Sequence, residues 1–251
     1  MRRIHFFEIE DQSWCPAPIR DAGTDFLQFA LKTGKNYAPV ATLLTGVLAR
    51  LGERRVVDMG SGGGGPWLGL VGEVDAEVTF TDCYPNLEAF RRARSQSGGR
   101  LGFHPEPVDA AVMPAELRGF RTMFTAFHHS TPAAARAILA DAVRNGQGIG
   151  IFEVTERSAR CIAAMLFSPL LVLAATPFIR PFRWSRFLWT YLVPLVPALV
   201  LWDGIVSCLR SYTPDELRAL ADGLGDYDWE AGQLTGHAPI PVTYLVGTPR
   251  R

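Results

Sequence analysis

The sequence predicts an α/β protein: a seven-stranded, mostly parallel sheet with a closing antiparallel hairpin and an apolar helical insertion after the fifth strand. Three observations carry this. Short apolar runs at 56–59, 77–81, 101–108, 120–127 and 148–154 alternate with stretches of helical period, the order that parallel βαβ units produce. Two further runs, 228–234 and 242–247, follow each other with only a loop between them, as in a hairpin at a sheet edge. Between the fifth run and this pair lies a block at 157–210 that such a sheet does not require.

Residues 1–24, with Trp14, Pro16 and Pro18, read as irregular. Thr24 is the expected N-cap of a helix from Asp25 to Thr33 that Gly34 stops, and a second helix runs from Ala38 to Arg50 before Gly52. Val56 to Met59 forms a buried strand entering a glycine-rich turn, and Trp67 to Val71 lie on the helix after it. The second strand ends at Asp82, Asn86 caps the next helix, the third strand ends at Asp109 and the fourth at His128 and His129. Ser130 or Thr131 caps a helix with Pro132 in its first turn, Gly146 at its end and an apolar stripe through Ala135, Ile138, Leu139 and Ala142. After the insertion, Thr213-Pro214-Asp215-Glu216 is a capping box. These boundaries give a helical, substrate-covering segment at 1–52, a ligand-binding core at 53–156, the hydrophobic insertion at 157–210, and a closing helix and strands at 211–251.

At 251 residues and 48% apolar, the chain suits one large domain, or one domain with an insertion. Its 25 basic and 25 acidic residues balance, and no basic tract stands out, so nucleic acid is not the expected partner. The four cysteines, Cys15, Cys83, Cys161 and Cys208, form no CxxC pair. That argues against a zinc ribbon or a disulfide framework and for reduced thiols that pack as small apolar groups. The N-terminus opens Met1-Arg2-Arg3, but acids interrupt it before a long apolar stretch develops, so it does not read as a secretory signal and the expected location is cytoplasmic.

The stretch Asp58-Met59-Gly60-Ser61-Gly62-Gly63-Gly64-Gly65 carries the chemistry. A nucleotide-like cofactor must approach the backbone between the first strand and its helix, and side chains there would block it. The run fits GxGxxG at Gly60, Gly62 and Gly65, which suits an NAD(P)-dependent oxidoreductase. It also fits an acid followed by GxGxG, at Asp58, Gly60, Gly62 and Gly64. The acid favours the second template, because a carboxylate sits poorly beside a dinucleotide pyrophosphate and well beside a cationic cofactor without phosphate.

With Asp58 and GxGxG at the end of strand one, the sequence resembles the class I, Rossmann-like S-adenosylmethionine (SAM)-dependent methyltransferases over about 55–155 and again over 211–249. The resemblance implies SAM as cofactor and makes 53–156 the SAM-binding core. It implies a cofactor site of Asp58, Gly60, Ser61, Gly62 and Gly64, with Asp82 on the ribose hydroxyls beside Cys83 and Tyr84, Asp109 and Ala110 near the adenine, and Phe127. Strand four lacks the (D/N)PP(Y/F) tetrad of methyltransferases that act on nucleic-acid amino groups. The His-His pair in its place is one that small-molecule members of the family often carry. His128 or His129 is then the candidate base, with Glu153 after strand five as a further catalytic candidate and Trp14, Asp25 and Tyr37 as candidate substrate contacts. No metal-ligand triad can be assigned. The implied reaction is methyl transfer to an oxygen or nitrogen of a small, apolar or lipid-like molecule. A SAM-fold protein that binds without catalysis is the other reading.

Residues 161–179 and 187–202 carry no charge, and Arg180, Arg183 and Arg186 lie between them. Two membrane spans are one reading, but Pro169, Pro177, Pro194 and Pro197 interrupt both stretches, the second is short, and a hairpin would put three arginines on the far side. The preferred reading is a helical lid or monotopic patch over 161–202, at the inner face of a membrane, with its arginines at headgroup level and Trp184, Trp189, Tyr191 and Trp202 at the interface. A homodimer interface or a buried insert remains the alternative.

Overall fold

The structure is a computed structural model of the chain and describes residues 1–236 and 240–250. In chain order its first elements are α1 (Ala17–Gly34), α2 (Ala38–Leu51), β1 (Arg55–Met59), α3 (Trp67–Leu70), β2 (Glu77–Thr81), α4 (Leu87–Gln96) and β3 (Leu101–Phe103). Next come β4 (Phe120–Phe124), α5 (Pro132–Arg144) and β5 (Ile149–Glu153). The insertion holds α6 (Ala159–Met165), α7 (Ser168–Ala175), α8 (Trp184–Phe187) and α9 (Leu195–Arg210), and the chain closes with α10 (Pro214–Ala221), β6 (Tyr227–Leu234) and β7 (Val242–Pro249).

The elements form two compact units, one from residues 35–154 and 213–251, the other from 1–34 and 155–212. The sequence groups 1–52 as one segment; the contacts instead assign α1 to the same unit as the insertion and α2 to the sheet unit.

In the sheet unit the seven strands lie in the order β3-β2-β1-β4-β5-β7-β6. Strands β1 to β5 are parallel, and β7 enters antiparallel to both β5 and β6. The hairpin expected at the edge is therefore present, with its second strand inserted next to β5. Every residue of β4 and β5 is buried, and so are the last four of β1; the polar residues among them, Asp58, Arg121, Thr122 and Glu153, are hydrogen-bonded there. The order reverses between β1 and β4, and in open α/β sheets ligands bind at the carboxyl edge beside that reversal.

The helix signals in this unit act as read. Gly52 ends α2 in the left-handed conformation at φ 64°, Asn86 accepts from the Ala89 N–H at 3.1 Å, and Thr131 caps α5 with Pro132 in its first turn. The Thr213–Glu216 box forms in both directions. A buried pair, Arg121 Nη1 to Asp141 Oδ2 at 2.7 Å, ties β4 to α5.

In the other unit, α1 begins seven residues before the expected cap, at Ala17. Pro18 occupies its first turn, where a missing N–H costs nothing. Thr24 sits inside the helix and its hydroxyl donates to the Arg20 carbonyl at 3.1 Å, so it caps nothing. Ile19, Ala22 and Phe26 of α1 pack with Val172 of α7 and Val196, Leu199 and Val200 of α9 in one apolar cluster. Asp203 accepts the Ile9 and Glu10 N–H groups at 2.6 and 3.1 Å, and Arg210 pairs with Glu8 and Asp11. The prolines sit at helix starts, Pro169 in the first turn of α7, Pro194 just before α9 and Pro197 within its first turn, which is why the apolar run is broken into short helices. Cys15, Cys161 and Cys208 are buried and Cys83 is exposed, all four as free thiols.

Candidate functional site

Four strand ends of the sheet unit build the site. After β1 the backbone turns through Gly60, Gly62, Gly64 and Gly65, all at positive φ. At Gly60, with φ 62°, a Cβ would also come within 3.3 Å of the Ala126 Cβ, so both backbone and space require glycine. At Gly62, with φ 53°, a Cβ would meet no atom within 4 Å, so the loop faces open space there. An L-residue in such a conformation costs about 1–2 kcal/mol.

Asp82, at the end of β2, holds this loop. Its Oδ2 accepts the Gly62 N–H and its Oδ1 the Tyr84 N–H, each at 2.8 Å. A carboxylate has about four acceptor positions, so the two oxygens retain capacity for two more donors. The Cys83 thiol donates to the Val108 carbonyl at 3.3 Å and the Val108 N–H to the Asp82 carbonyl at 2.8 Å. These bonds bring the end of β2 against the turn holding Asp109 and Ala110. Asp109 itself is exposed and accepts the Ala111 N–H at 2.8 Å, closing its own turn. Tyr84 is 90% exposed.

Asp58 is placed differently from a ligand-facing acid. Its carboxylate is buried and accepts Thr122 Oγ1 at 2.6 Å, Trp67 Nε1 at 3.1 Å and Ser61 Oγ at 2.7 Å. Parallel pairing puts Thr122 of β4 opposite Asp58, so the acid braces the glycine loop from beneath. Burial pushes its carboxyl up to about 6, against the lowering effect of the Thr122, Ser61 and Trp67 hydrogen bonds.

That shift has a testable sign. The folded state binds this proton more tightly than the unfolded chain, so the contribution is fully favourable below about pH 4 and is lost as pH rises to about 6. The full loss is about 3 kcal/mol, at 1.36 kcal/mol per pH unit. Asn at position 58 keeps the acceptor for Thr122 and Trp67 and offers an N–H to Ser61 Oγ, with no charge to bury. Urea unfolding of Asp58→Asn against wild type from pH 4 to pH 7 should show the variant gaining relative stability by about that amount. Parallel curves would mean that Asp58 does not titrate in this window.

The ends of β4 and β5 supply the other half. Glu153, the last residue of β5, accepts the Phe127 N–H through Oε1 at 2.8 Å and pairs with His128 Nδ1 through Oε2 at 2.6 Å. Both side chains are buried. The His128 Nδ1–H donates to the carboxylate, which makes Nε2 the proton-accepting nitrogen. The His129 ring lies 4.3 Å from that of His128, centre to centre, and the Phe127 ring is buried.

Tyr37 joins this unit, buried, with its hydroxyl bonded to Thr125 Oγ1 and its ring edge-on to Phe124. Burial raises the Tyr37 hydroxyl well above its ordinary range, with Glu153 and Asp58 adding to the effect. Thr125 has a φ of 46°, rare for a β-branched residue and strained. Trp14 and Asp25 belong to the other unit: Trp14 is exposed, and Asp25 pairs with Arg186 and, at 3.7 Å, with Arg183. Arg186 is buried there, which gives Asp25 a structural partner. Sequence reasoning missed Trp67, Thr122 and Thr125. Thr122 becomes visible only once the β1–β4 register is known, Trp67 only from its bond to Asp58, and Thr125 only from its backbone angle.

The sequence matches no protein-family model, and no curated protein matches it. Solved structures do resemble the chain in fold. The plantazolicin methyltransferase BpumL, in complex with SAH, aligns over 96% of this chain and 95% of its own with a TM-score of 0.59 at 12% identity. An O-methyltransferase family 2 protein from Planctomyces limnophilus, in complex with apigenin, aligns over 95% of this chain at TM-score 0.57 and 14% identity. An O-methyltransferase family protein from Burkholderia thailandensis aligns over 88% at 0.52 and 15%. The fold is that of the class I SAM-dependent methyltransferases. The chain spans 63% and 58% of the Planctomyces and Burkholderia proteins. The methyltransferase fold accounts for the sheet order, since an all-parallel dinucleotide-binding sheet has no strand running antiparallel between its fifth and sixth.

Proposed function

We propose that this protein is a SAM-dependent methyltransferase that transfers a methyl group to an oxygen or nitrogen of a small, apolar or lipid-like molecule. The observation that carries the reading is the glycine turn after β1 bonded to Asp82 at the end of β2. The residues fit the cofactor: the turn is open above Gly62, and Asp82 keeps acceptor capacity for a diol. Asp82 would hold the ribose hydroxyls, the Gly60–Gly64 backbone would pass beneath the amino-acid part, and the turn at Asp109 and Ala110 would border the adenine. When bound, SAM supplies an electrophilic methyl group on a sulfonium.

The chain's own contribution is to place and deprotonate the acceptor. His128, oriented by Glu153, takes the proton from a hydroxyl or amine as that atom attacks, and Glu153 steadies the resulting imidazolium. Exclusion of water and alignment of the acceptor supply the remaining rate. We place the protein in the cytoplasm, at the inner face of a membrane, where apolar acceptors concentrate.

Calorimetric titration with SAM, S-adenosylhomocysteine and NADH is the test. SAM and its product should bind and NADH should not, and mixtures with apolar alcohols or amines should release S-adenosylhomocysteine. Binding of NADH alone would overturn the reading in favour of a nicotinamide enzyme. Binding of SAM without turnover on any acceptor class would leave a binding protein on an enzyme fold.

A further inference from the structure

The unit made of 1–34 and 155–212 has a surface that water does not suit. Scattered exposed apolar side chains are ordinary on any protein; a continuous run is not. Here Phe167, Leu170 and Leu171, around the start of α7, are each more than half exposed, as are Trp184 at the start of α8 and Leu192 beyond it. These belong to one surface. The Tyr191 hydroxyl donates to the Leu173 carbonyl of α7, and the rings of Phe182, Trp184, Phe187 and Tyr191 form a contact chain with centroids 5.0–6.3 Å apart.

Charge on this stretch has one sign. From 157 to 202 the chain carries five arginines and no acid. Arg183 and Arg186 meet Asp25 within the unit, and Arg160 meets Glu156. Arg180 is exposed amid the apolar side chains, its guanidinium donating to the Pro177 carbonyl at 3.0 Å.

We propose that this face is a monotopic membrane-binding surface for a bilayer containing anionic lipid. Aromatic and aliphatic side chains flanking an arginine match the acyl–headgroup boundary. A second copy of the chain fits less well, because the stretch 157–202 itself offers no acid to meet a partner's Arg180, and Asp25 is already held by Arg183 and Arg186. A crossing fits less well too. Among the described residues no single helix is long and apolar enough to span a membrane, and the two helix pairs that reach the length together are bent by 41° and 78°. The most apolar long helix, α9, is also committed on one side, where Leu199 packs so closely on α1 that a Cβ at Gly23 would lie 2.8 Å from it.

The test is co-flotation of the whole protein with vesicles of phosphatidylcholine, with and without about one third phosphatidylglycerol. Wild type should float with the mixed vesicles, and less so in high salt. The pair Leu170→Asp with Leu192→Asp, both at exposed positions, should weaken binding at least about tenfold with an unchanged circular dichroism spectrum and melting temperature. Arg180→Glu should remove the preference for anionic lipid while keeping residual binding. Absence of wild-type flotation, or equal flotation by the folded double variant, would overturn the proposal. So would a lipid-free dimer, seen by light scattering, that the double variant abolishes. No cofactor enters these measurements, so their outcome is separate from that of the methyl-transfer reading.

Discussion

Replacing His128 with alanine is expected to slow methyl transfer by roughly 10² to 10⁴-fold, the usual contribution of a positioned general base, while SAM affinity persists. The geometry supports a loss of this size because one carboxylate holds both the imidazole and the turn that carries it. Glu153 bonds the ring at Nδ1 and the Phe127 N–H of the same turn, at 2.6 and 2.8 Å. Glu153→Gln should be nearly as damaging. The glutamine must keep its oxygen on the Phe127 N–H and turn its amide towards Nδ1, which moves the imidazole proton to Nε2 and removes the base. The double variant should be little worse than either single, since both remove the same function. Release of S-adenosylhomocysteine at saturating SAM measures all three. A His128→Ala enzyme at full rate would assign catalysis to proximity and leave the His128–Glu153 pair as a brace for the turn after β4. His129→Ala, which leaves the His128–Glu153 pair and its bond to the Phe127 N–H in place, should cost less.

How far the sequence foretells this site depends on which interactions are local. The glycine turn and the Asn86 and Thr131 caps are written in short stretches, because each cap and its partner lie within a few residues, whereas the Asp82 carboxylate reaches Gly62 twenty residues back. The Thr24 cap failed for the opposite reason. Its residue type suits a cap, yet α1 buries Ile19 and Ala22 against α7 and α9, and that distant packing extends the helix backwards to Ala17. Asp58 is the instructive case at the site. Its position before the glycines is local, but its orientation depends on Thr122, which lies 64 residues away and is brought opposite by the β1–β4 pairing. The same holds for Tyr37, whose partner Thr125 sits on another strand end. The insertion's composition was legible, while the way its exposed side chains gather beside Arg180 required the structure.

Asp82→Ala is expected to weaken SAM binding by at least about a hundredfold. Two hydrogen bonds from a diol to a carboxylate contribute roughly 1.5–3 kcal/mol each, and the same carboxylate also anchors the Gly62 N–H on which the turn's shape depends. Asp82→Asn separates the two contributions. Its remaining oxygen can satisfy Gly62 or accept a hydroxyl, so affinity should fall to an intermediate value, and calorimetry of both variants against wild type resolves the three levels. Asp109→Ala serves as the comparison: that carboxylate is exposed and already closes its own turn through the Ala111 N–H, so its loss should cost much less than that of Asp82. Equal losses at 82 and 109 would mean that the two acids act through the turn they share at Cys83 and Val108, not through the cofactor. Full affinity in Asp82→Ala would move the ribose away from the end of β2 and break the proposed placement of SAM, because the turn between Asp82 and Glu88 carries no other carboxylate.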